Sequence, residues 1–379
     1  VAQQEWTAFG QRSGLKVHRV SIGAMRLPKG DDEAVTLLRQ AIDAGLIYID
    51  TSRGYGDSEI KVGKSLKDGY RSRVILSTKW SPWVQMVEET DRPTAACTYK
   101  RLLESMERLD VDRLDFYQLW NIDSLEHWQQ ATGKGGMLEG ILRARKEGLV
   151  GHIGFTTHDS PGNISRYIDE ADWCEAILFT YNVMNQTYRE NIAKAHAKGI
   201  ATLVMNPIGG GMLAENSPVL TAAAGGLDPI EAAHRFLSGD PNVDTVLCGI
   251  RKPSDITDTL ANFAKPPLVG GLRSTIVEAY ARLSKKNLGL CTDCQYCMPC
   301  PQGLNIPGIM HTAYLHRVLQ CPEAAANHYR WIADPAKNTT AENCTQCGEC
   351  GSKCTQKLPI PEHVGYVARH LDSGSQGKR

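Results

Sequence analysis

The sequence predicts an α/β fold followed by a small helical domain: a closed barrel of eight strand–helix units, then a compact segment organised by cysteines. Two observations carry this. Through residues 1–265, short apolar runs alternate with amphipathic helical stretches, the rhythm of parallel strands joined by helical crossovers. Downstream, eight of the twelve cysteines fall into two tight runs, Cys291-x2-Cys294-x2-Cys297-x2-Cys300 and Cys344-x2-Cys347-x2-Cys350-x3-Cys354. The 379 residues divide on this reading into a barrel at 1–265, a linker and helix at 266–285 and a cysteine-rich domain at 286–379.

The strand-like runs come in order at Val17–Leu27, Leu46–Ser52, Val74–Trp80, Leu114–Asn121, Val150–Thr157, Ala176–Val183, Ala201–Pro207 and Val243–Ile250. Between them lie helical patterns such as Thr94–Leu109, with Leu102, Leu103, Met106 and Leu109 on one side. Several helices end in a glycine that leads into the next strand, at Gly45, Gly148 and Gly199. Eight such units in roughly 250 residues fit a (β/α)8 TIM barrel. A doubly wound sheet would place a G-x-G-x-x-G after its first strand, and none is present. Gly63-Lys64-Ser65 resembles the end of a phosphate loop, but position 58 is Ser where that motif needs Gly.

The cysteine runs admit three chemistries. Disulfides would use an even count, yet a chain this long buries enough core without staples. Structural zinc takes four ligands, usually as two separated pairs. Continuous C-x2-C-x2-C runs crowd thiolates as the corners of a [4Fe–4S] cubane require, so two clusters are the expectation. In two-cluster ferredoxins the fourth cysteine of each run ligates the other cluster. On that pattern Cys291, Cys294, Cys297 and Cys354 hold one cubane, and Cys344, Cys347, Cys350 and Cys300 the second. The x2 spacing before Cys300 departs from the usual x3. Cys97, Cys174, Cys248 and Cys321 stand alone and read as core or incidental thiols.

Basic and acidic residues balance at 42 each, which argues against nucleic acid or an anionic membrane surface as partner. No apolar run reaches the length of a membrane span. Thiol-rich and without a visible signal peptide, the chain reads as cytoplasmic. Numbering from Val1 rather than Met leaves room for a trimmed segment and for export of the folded protein by a twin-arginine route. The composition is compatible with a homo-oligomer.

In such a barrel, chemistry gathers at the C-terminal strand ends. Those ends read Asp50-Thr51-Ser52 with Tyr55, Thr78-Lys79-Trp80 and Leu119-Trp120-Asn121. A phenol is a poor proton donor at neutral pH. An adjacent ammonium eases its ionisation, and a carboxylate behind the ammonium holds that charge in place. Alone, Asp50 with Lys79 would be an ion pair at a strand end. With Tyr55 on the same rim they form an acid–base set.

Ile49-Asp50-Thr51-Ser52-x2-Tyr55-Gly56, Ser77-Thr78-Lys79 and Asp115-Phe116-Tyr117-Gln118-Leu119 resemble the aldo-keto reductase family. Gly14-Leu15-Lys16-Val17 and Ile22-Gly23-Ala24-Met25-Arg26-Leu27-Pro28 are similar to that family's first hairpin and strand, and Gly249-Ile250-Arg251-Lys252-Pro253 to its cofactor-phosphate loop. The cysteine-rich tail resembles a microbial branch that carries a C-terminal ferredoxin-like domain. The resemblance implies NAD or NADP as hydride carrier, a small carbonyl or alcohol substrate, and Tyr55 as proton donor tuned by Lys79 and Asp50. It also implies cofactor contacts from Thr156, Thr157, Asn206, Gly249, Arg251, Lys252 and residue 255.

Several positions depart from the family. Trp120 stands where a histidine normally completes the tetrad; indole offers one N–H and cannot titrate, and its bulk enters the space of a substrate carbonyl. Leu178 replaces a glutamine that binds the nicotinamide amide, and Thr156-Thr157 a Ser-Asn pair. Met205-Asn206 replaces a stacking aromatic. Asp255 stands where Arg or Gln would meet a 2′-phosphate, and a carboxylate there disfavours NADP. His158 follows the fifth strand and is a candidate to serve the space altered by Trp120. Gly209-Gly210-Gly211 fits either a phosphate approach or a flexible loop.

Lys265-Pro266-Pro267 and Gly270-Gly271 signal a linker, followed by a helix at Arg273–Lys286. Helical sequence such as Gly308–Leu319 separates the cysteine runs, and Lys357-Leu358-Pro359-Ile360-Pro361 follows the second. This arrangement resembles the α-helical dicluster ferredoxin of fumarate reductase-like subunits. Nicotinamide gives two electrons as hydride, a cubane takes one, and no flavin fingerprint bridges them. Three schemes follow: a catalytic barrel whose cubanes exchange electrons with a partner protein; a barrel working on hydride alone with structural or sensing clusters; or a degraded barrel in an electron-transfer or assembly subunit. The intact Asp50–Tyr55–Lys79 set makes the first the expectation.

Overall fold

The computed structural model describes residues 6–286 and 291–372, so the reading of the chain's start at Val1 lies outside the described residues. A hairpin of β1 (Trp6–Ala8) and β2 (Lys16–His18) opens the chain. Eight parallel strands then close a barrel in chain order: β3 (Val20–Gly23), β4 (Tyr48–Asp50), β5 (Ile75–Trp80), β6 (Leu114–Ile122), β7 (Val150–Thr157), β8 (Ala176–Thr180), β9 (Ala201–Met205) and β10 (Thr245–Gly249), which pairs with β3. Each predicted run carries one barrel strand. The first run, Val17–Leu27, is divided: Lys16–His18 pairs antiparallel with β1, Val20–Gly23 enters the barrel and Ala24–Arg26 turns as a 3-10 helix. Between the two strands, Arg19 leaves its carbonyl to the Val246 N–H of β10, at 2.9 Å.

The hairpin fixes which end of the barrel is free. Phe9, fully buried, packs on Tyr48 and Phe116 with ring centroids 5.2 and 5.4 Å away. Ala176, Leu178, Ala201 and Leu203, near the starts of their strands, join the same cluster. The N-terminal end is therefore plugged by apolar side chains, and polar residues collect at the other.

The crossover helices are α1 (Asp31–Asp43), α2 (Ser58–Ser65), α3 (Ala95–Leu109), α4 (Leu125–Thr132), α5 (Met137–Lys146), α6 (Pro161–Glu170), α7 (Arg189–Ala197), α8 (Pro218–Ala223), α9 (Pro229–Ser238) and α10 (Pro253–Ala264). Helix α3 starts where the Thr94 hydroxyl accepts the Cys97 N–H at 3.3 Å, the expected N-cap. Leu102, Met106 and Leu109 of its predicted stripe are buried, but Leu103 is 41% exposed. The stripe follows i, i+4 and i+7, and Leu103 lies one position, about 100°, off it.

By internal packing the chain forms two compact units. One runs to Tyr181 and adds Gln186–Pro207 and His234–Leu268; the other comprises Asn182–Asn185, Ile208–Ala233 and the chain from Val269 onward. The second unit holds α11 (Gly270–Lys286), α12 (Ile306–Arg317), α13 (Pro322–Ile332), α14 (Glu349–Ser352) and α15 (Ile360–Leu371). Its core gathers Leu304, Ile309, Met310, Ala313, Val364 and Val367, with the thiols of Cys297 and Cys354 among them. Among the described residues no helix is long and apolar enough to cross a membrane.

Candidate active site and cysteine rings

Strand register builds the acid–base set. Asp50 on β4 pairs with Ser77 on β5, and Lys79 on β5 with Gln118 on β6. The Lys79 ammonium, 1% exposed, donates to the Asp50 carboxylate and to the Thr51 carbonyl at 3.0 Å. The Gln118 amide donates to Asp50 Oδ1 at 2.9 Å and to Ser77 Oγ at 2.7 Å. Burial pushes the Asp50 carboxyl above its ordinary value and the Lys79 ammonium below its own, while each partner opposes the other's shift. The pair is dry, hydrogen-bonded and held in one geometry.

Tyr55 is positioned by a turn sewn to the end of β5. The Arg53 N–H and the Ser52 hydroxyl donate to the Lys79 carbonyl at 3.0 and 3.1 Å, and the Tyr55 N–H donates to the Ser52 carbonyl at 3.0 Å. The Lys79 ammonium lies 5.0 Å from the centroid of the half-buried Tyr55 ring and 6.0 Å from that of Trp120. Trp120, buried on β6, meets Tyr55 edge to face at 5.2 Å and 85°. A Cβ on Gly54 would lie 2.8 Å from Trp120 Cζ3 and 2.8 Å from the Gln85 carbonyl oxygen. Part of the bulk that the sequence assigns to the substrate's space is thus taken up over a glycine.

The residues expected at a cofactor lie on β7, at the end of β10, in the loops after β9 and β10 and in the first turn of α10. A bulge interrupts the β6–β7 ladder between Leu119 and Ile122, where Asn121 takes a left-handed φ of 63°. Thr156 Oγ1 accepts the Asn121 N–H at 2.9 Å, and Thr157 Oγ1 donates to the Ile122 carbonyl at 2.7 Å. These two hydroxyls brace the bulge. His158 is buried behind them, its N–H on the Ile122 carbonyl at 3.2 Å. Asn206, at φ 57°, turns the chain after β9, and Leu178 lies in the apolar plug.

Gly249, Arg251 and Lys252 are exposed before α10. The Asp255 carboxylate accepts the Arg251 and Lys252 N–H groups at 2.7 and 3.2 Å. The carboxylate thus occupies N–H groups at the start of the helix, where an anion would otherwise bind. Gly209, Gly210 and Gly211 all have positive φ, and a Cβ on Gly210 would lie 2.3 Å from the Thr292 carbonyl oxygen. Close backbone packing is what this triplet serves.

Three features escape the sequence reading. Gln118 was traceable: Phe116, Gln118 and Trp120 share one face of β6 by strand alternation. Gly54 has no sequence signal. Trp83, stacked on His127 at 4.0 Å and 7°, with His127 Nδ1 2.8 Å from Asp123, joins the loop after β5 to α4, which no spacing connects.

The cysteine runs form two rings. Cys291, Cys294, Cys297 and Cys354 line a cavity of about 320 Å³ with Thr292, Gln356 and Met310. Cys300, Cys344, Cys347 and Cys350 line another of about 350 Å³ with Gln302, Thr345 and Gln346. Left-handed Asp293, Gln295, Gln346 and Gly348 wind four of the five C-x2-C loops around the cavities. Among the described residues no three His, Cys, Asp or Glu converge on the spacing of a single ion; the thiols stand apart around the walls. Burial pushes the Cys297 thiol up to about 12 and raises Cys291 and Cys354 as well. No disulfide joins any of the cysteines; Cys174 and Cys248 are buried, Cys97 and Cys321 partly so.

A profile described as the aldo/keto reductase family matches residues 19–271. The chain belongs to that family. A second profile, a 4Fe-4S dicluster domain, matches residues 290–359. This family member is 26% identical over 318 residues to L-galactose dehydrogenase of Arabidopsis thaliana, covering 75% of the chain and 96% of that relative. It is 30% identical over 147 residues to methylglyoxal reductase DkgA of Escherichia coli K12, covering 37% of the chain and 46% of that relative. Its fold is shared with the holo form of aldo-keto reductase AKR11C1 from Bacillus halodurans: TM-score 0.62, 21% identity, 73% of this chain and 96% of that one.

Proposed function

We propose that this aldo-keto reductase interconverts a small carbonyl compound and its alcohol in residues 1–265, and exchanges electrons through two [4Fe–4S] clusters in residues 286–379, with 266–285 as the joint. Tyr55 gives or takes the oxygen-bound proton. Lys79 presents positive charge to its ring, and Asp50 with Gln118 fixes that charge. Trp120 walls the site without titrating, and His158 is held behind the bulge. Cys291, Cys294, Cys297 and Cys354 hold one cluster and Cys300, Cys344, Cys347 and Cys350 the other; two rings of four thiols, each around a cavity, fit such groups. Bound clusters supply one-electron transfer, two electrons between them.

The observation that carries this reading is the buried Lys79–Asp50–Gln118 set beside Tyr55, which is costly to bury and has no structural duty that apolar residues would not fill. NADP fits poorly, because Asp255 already caps the helix where its phosphate would bind. That cap favours a second reading: a barrel that no longer turns over, in an electron-transfer or assembly subunit.

Tyr55→Phe separates the two. A catalytic barrel loses about 10²- to 10⁴-fold in carbonyl or alcohol turnover with its iron content unchanged. No turnover in either chain would leave the subunit reading standing, and turnover that survives Tyr55→Phe would remove Tyr55 as proton donor. Anaerobic titration with NADH and then NADPH, read by cluster absorbance and EPR, tests the cofactor. Cluster reduction by NADPH would contradict the role given to Asp255.

A further inference from the structure

The two cysteine rings differ in exposure. In the ring of Cys291, Cys294, Cys297 and Cys354, the last two thiols are 9% and 8% exposed, and neighbouring Thr292 and Thr355 are 5% and 4%. Its wall is pinned from outside the cysteine runs. Gly210 lies so close to Thr292 that no side chain fits between them, and the Asn185 amide donates to Gln356 Oε1 at 3.3 Å. Its sulfurs accept the Asp293 N–H at 3.4 Å and the Leu358 N–H at 3.5 Å. In the ring of Cys300, Cys344, Cys347 and Cys350, Cys347 is exposed, as are Gln302, Thr345 and Gln346 on the same rim. Cys297 and Cys354 are thus the most covered of the eight thiols and Cys347 the most exposed, beside a mouth of polar, uncharged side chains.

We propose that the ring of Cys300, Cys344, Cys347 and Cys350, through the exposed Cys347, is the electron port of the molecule, exchanging single electrons with a small carrier protein, while the ring of Cys291, Cys294, Cys297 and Cys354 meets solvent and oxidants more slowly. The inference rests on the reading of both rings as cluster ligands. Each exchange moves one electron between the reduced cubane at the open ring and an oxidised carrier, with no bond made or broken. The rim's uncharged side chains make close approach, rather than charge, the basis of docking.

The test uses the full chain, anaerobically loaded with iron and sulfide and reduced with dithionite. Loss of visible absorbance and of bound iron is followed in ferricyanide with EDTA, and electron delivery by reduction of cytochrome c. We expect two phases of cluster loss, at least about tenfold apart. Cys347→Ala should abolish the fast phase, keep the slow one and slow cytochrome c reduction at least tenfold. Gly210→Ala, which forces Thr292 aside, should accelerate only the slow phase. Gln302→Trp, at the exposed rim, should slow the fast phase with all eight cysteines present, and so stands if the cysteine variant does not fold. A single phase, a fast phase that survives Cys347→Ala, or unimpaired cytochrome c reduction in that variant would overturn the port. A chain that binds no cluster iron would overturn the ligand reading and the port with it.

Discussion

The rim of the barrel and the cysteine rings are two ways of placing reactive groups. At the rim, three neighbouring strands fix Asp50, Lys79 and Gln118 by register, so residues far apart in sequence meet with hydrogen-bond accuracy. In the rings, placement is mostly local: left-handed residues between cysteines bend four of the five C-x2-C loops, and only Cys300 and Cys354 cross between the runs. The first mode tolerates no slip, since shifting a strand by one residue reverses its faces. The second depends on short spacings and on whatever fills the cavity.

That difference predicts where each unit fails. The barrel rim rests on buried charge beyond the catalytic set: Arg101, 1% exposed, pairs with Asp91 and Glu104 at 2.7 Å and Glu88 at 2.9 Å, and Glu104 reaches Arg53 in the turn that carries Tyr55. Arg101→Met strands the buried Asp91 carboxylate, so urea denaturation should show a loss of about 3–5 kcal/mol. Protection of α12 and α15 against hydrogen exchange should be unchanged. Equal loss in both units would break the comparison.

A smaller effect sharpens the rim itself. Gly54→Ala forces a Cβ between Trp120 and Gln85 and should cost about 1–3 kcal/mol. If the indole is the cause, the same substitution beside Trp120→His should cost less, a coupling of about 1 kcal/mol in a double-mutant cycle. Additive effects would place the clash on Gln85 instead.

These contacts mark what the sequence conceals. Strand order and the Asp50–Tyr55–Lys79 set were legible because period-two apolar runs and strand ends are local patterns, and the two cysteine runs because their spacing is local too; the exchange of Cys300 and Cys354 came only from the two-cluster pattern. Gly54 was not, since the close approach of Trp120 and Gln85 exists only after two loops meet β6. The charge of Asp255 was legible, but its place on the Arg251 and Lys252 N–H groups depends on where α10 begins. Leu103 shows the same limit, for a stripe four residues wide on paper is three wide on the helix.

The smallest effect concerns pH and belongs to the helical unit. His328 on α13 has Nδ1 2.9 Å from the Thr312 hydroxyl and faces His311, which pairs with Glu215 at 3.2 Å. His316 on α12 has Nδ1 2.8 Å from the Tyr366 hydroxyl, with the His370 ring 5.9 Å away. Burial, then the neighbouring histidine, lowers both imidazoles below the ordinary 6.5. The unfolded chain therefore takes up protons first as pH falls through 6.5, and native stability drops until the folded values are passed. Below that, Glu215, lowered chiefly by His311, loses its own contribution as it protonates, in the same direction. Hydrogen exchange corrected for its intrinsic rate should show α12 and α13 opening a few-fold more often at pH 5.5 than at 7.5, with β5 and β6 changing less. His328→Gln should remove part of that difference. Strands that open as readily as the helices would mean that acid acts on the barrel's Asp50–Lys79 pair, and the two units would then share one weakness.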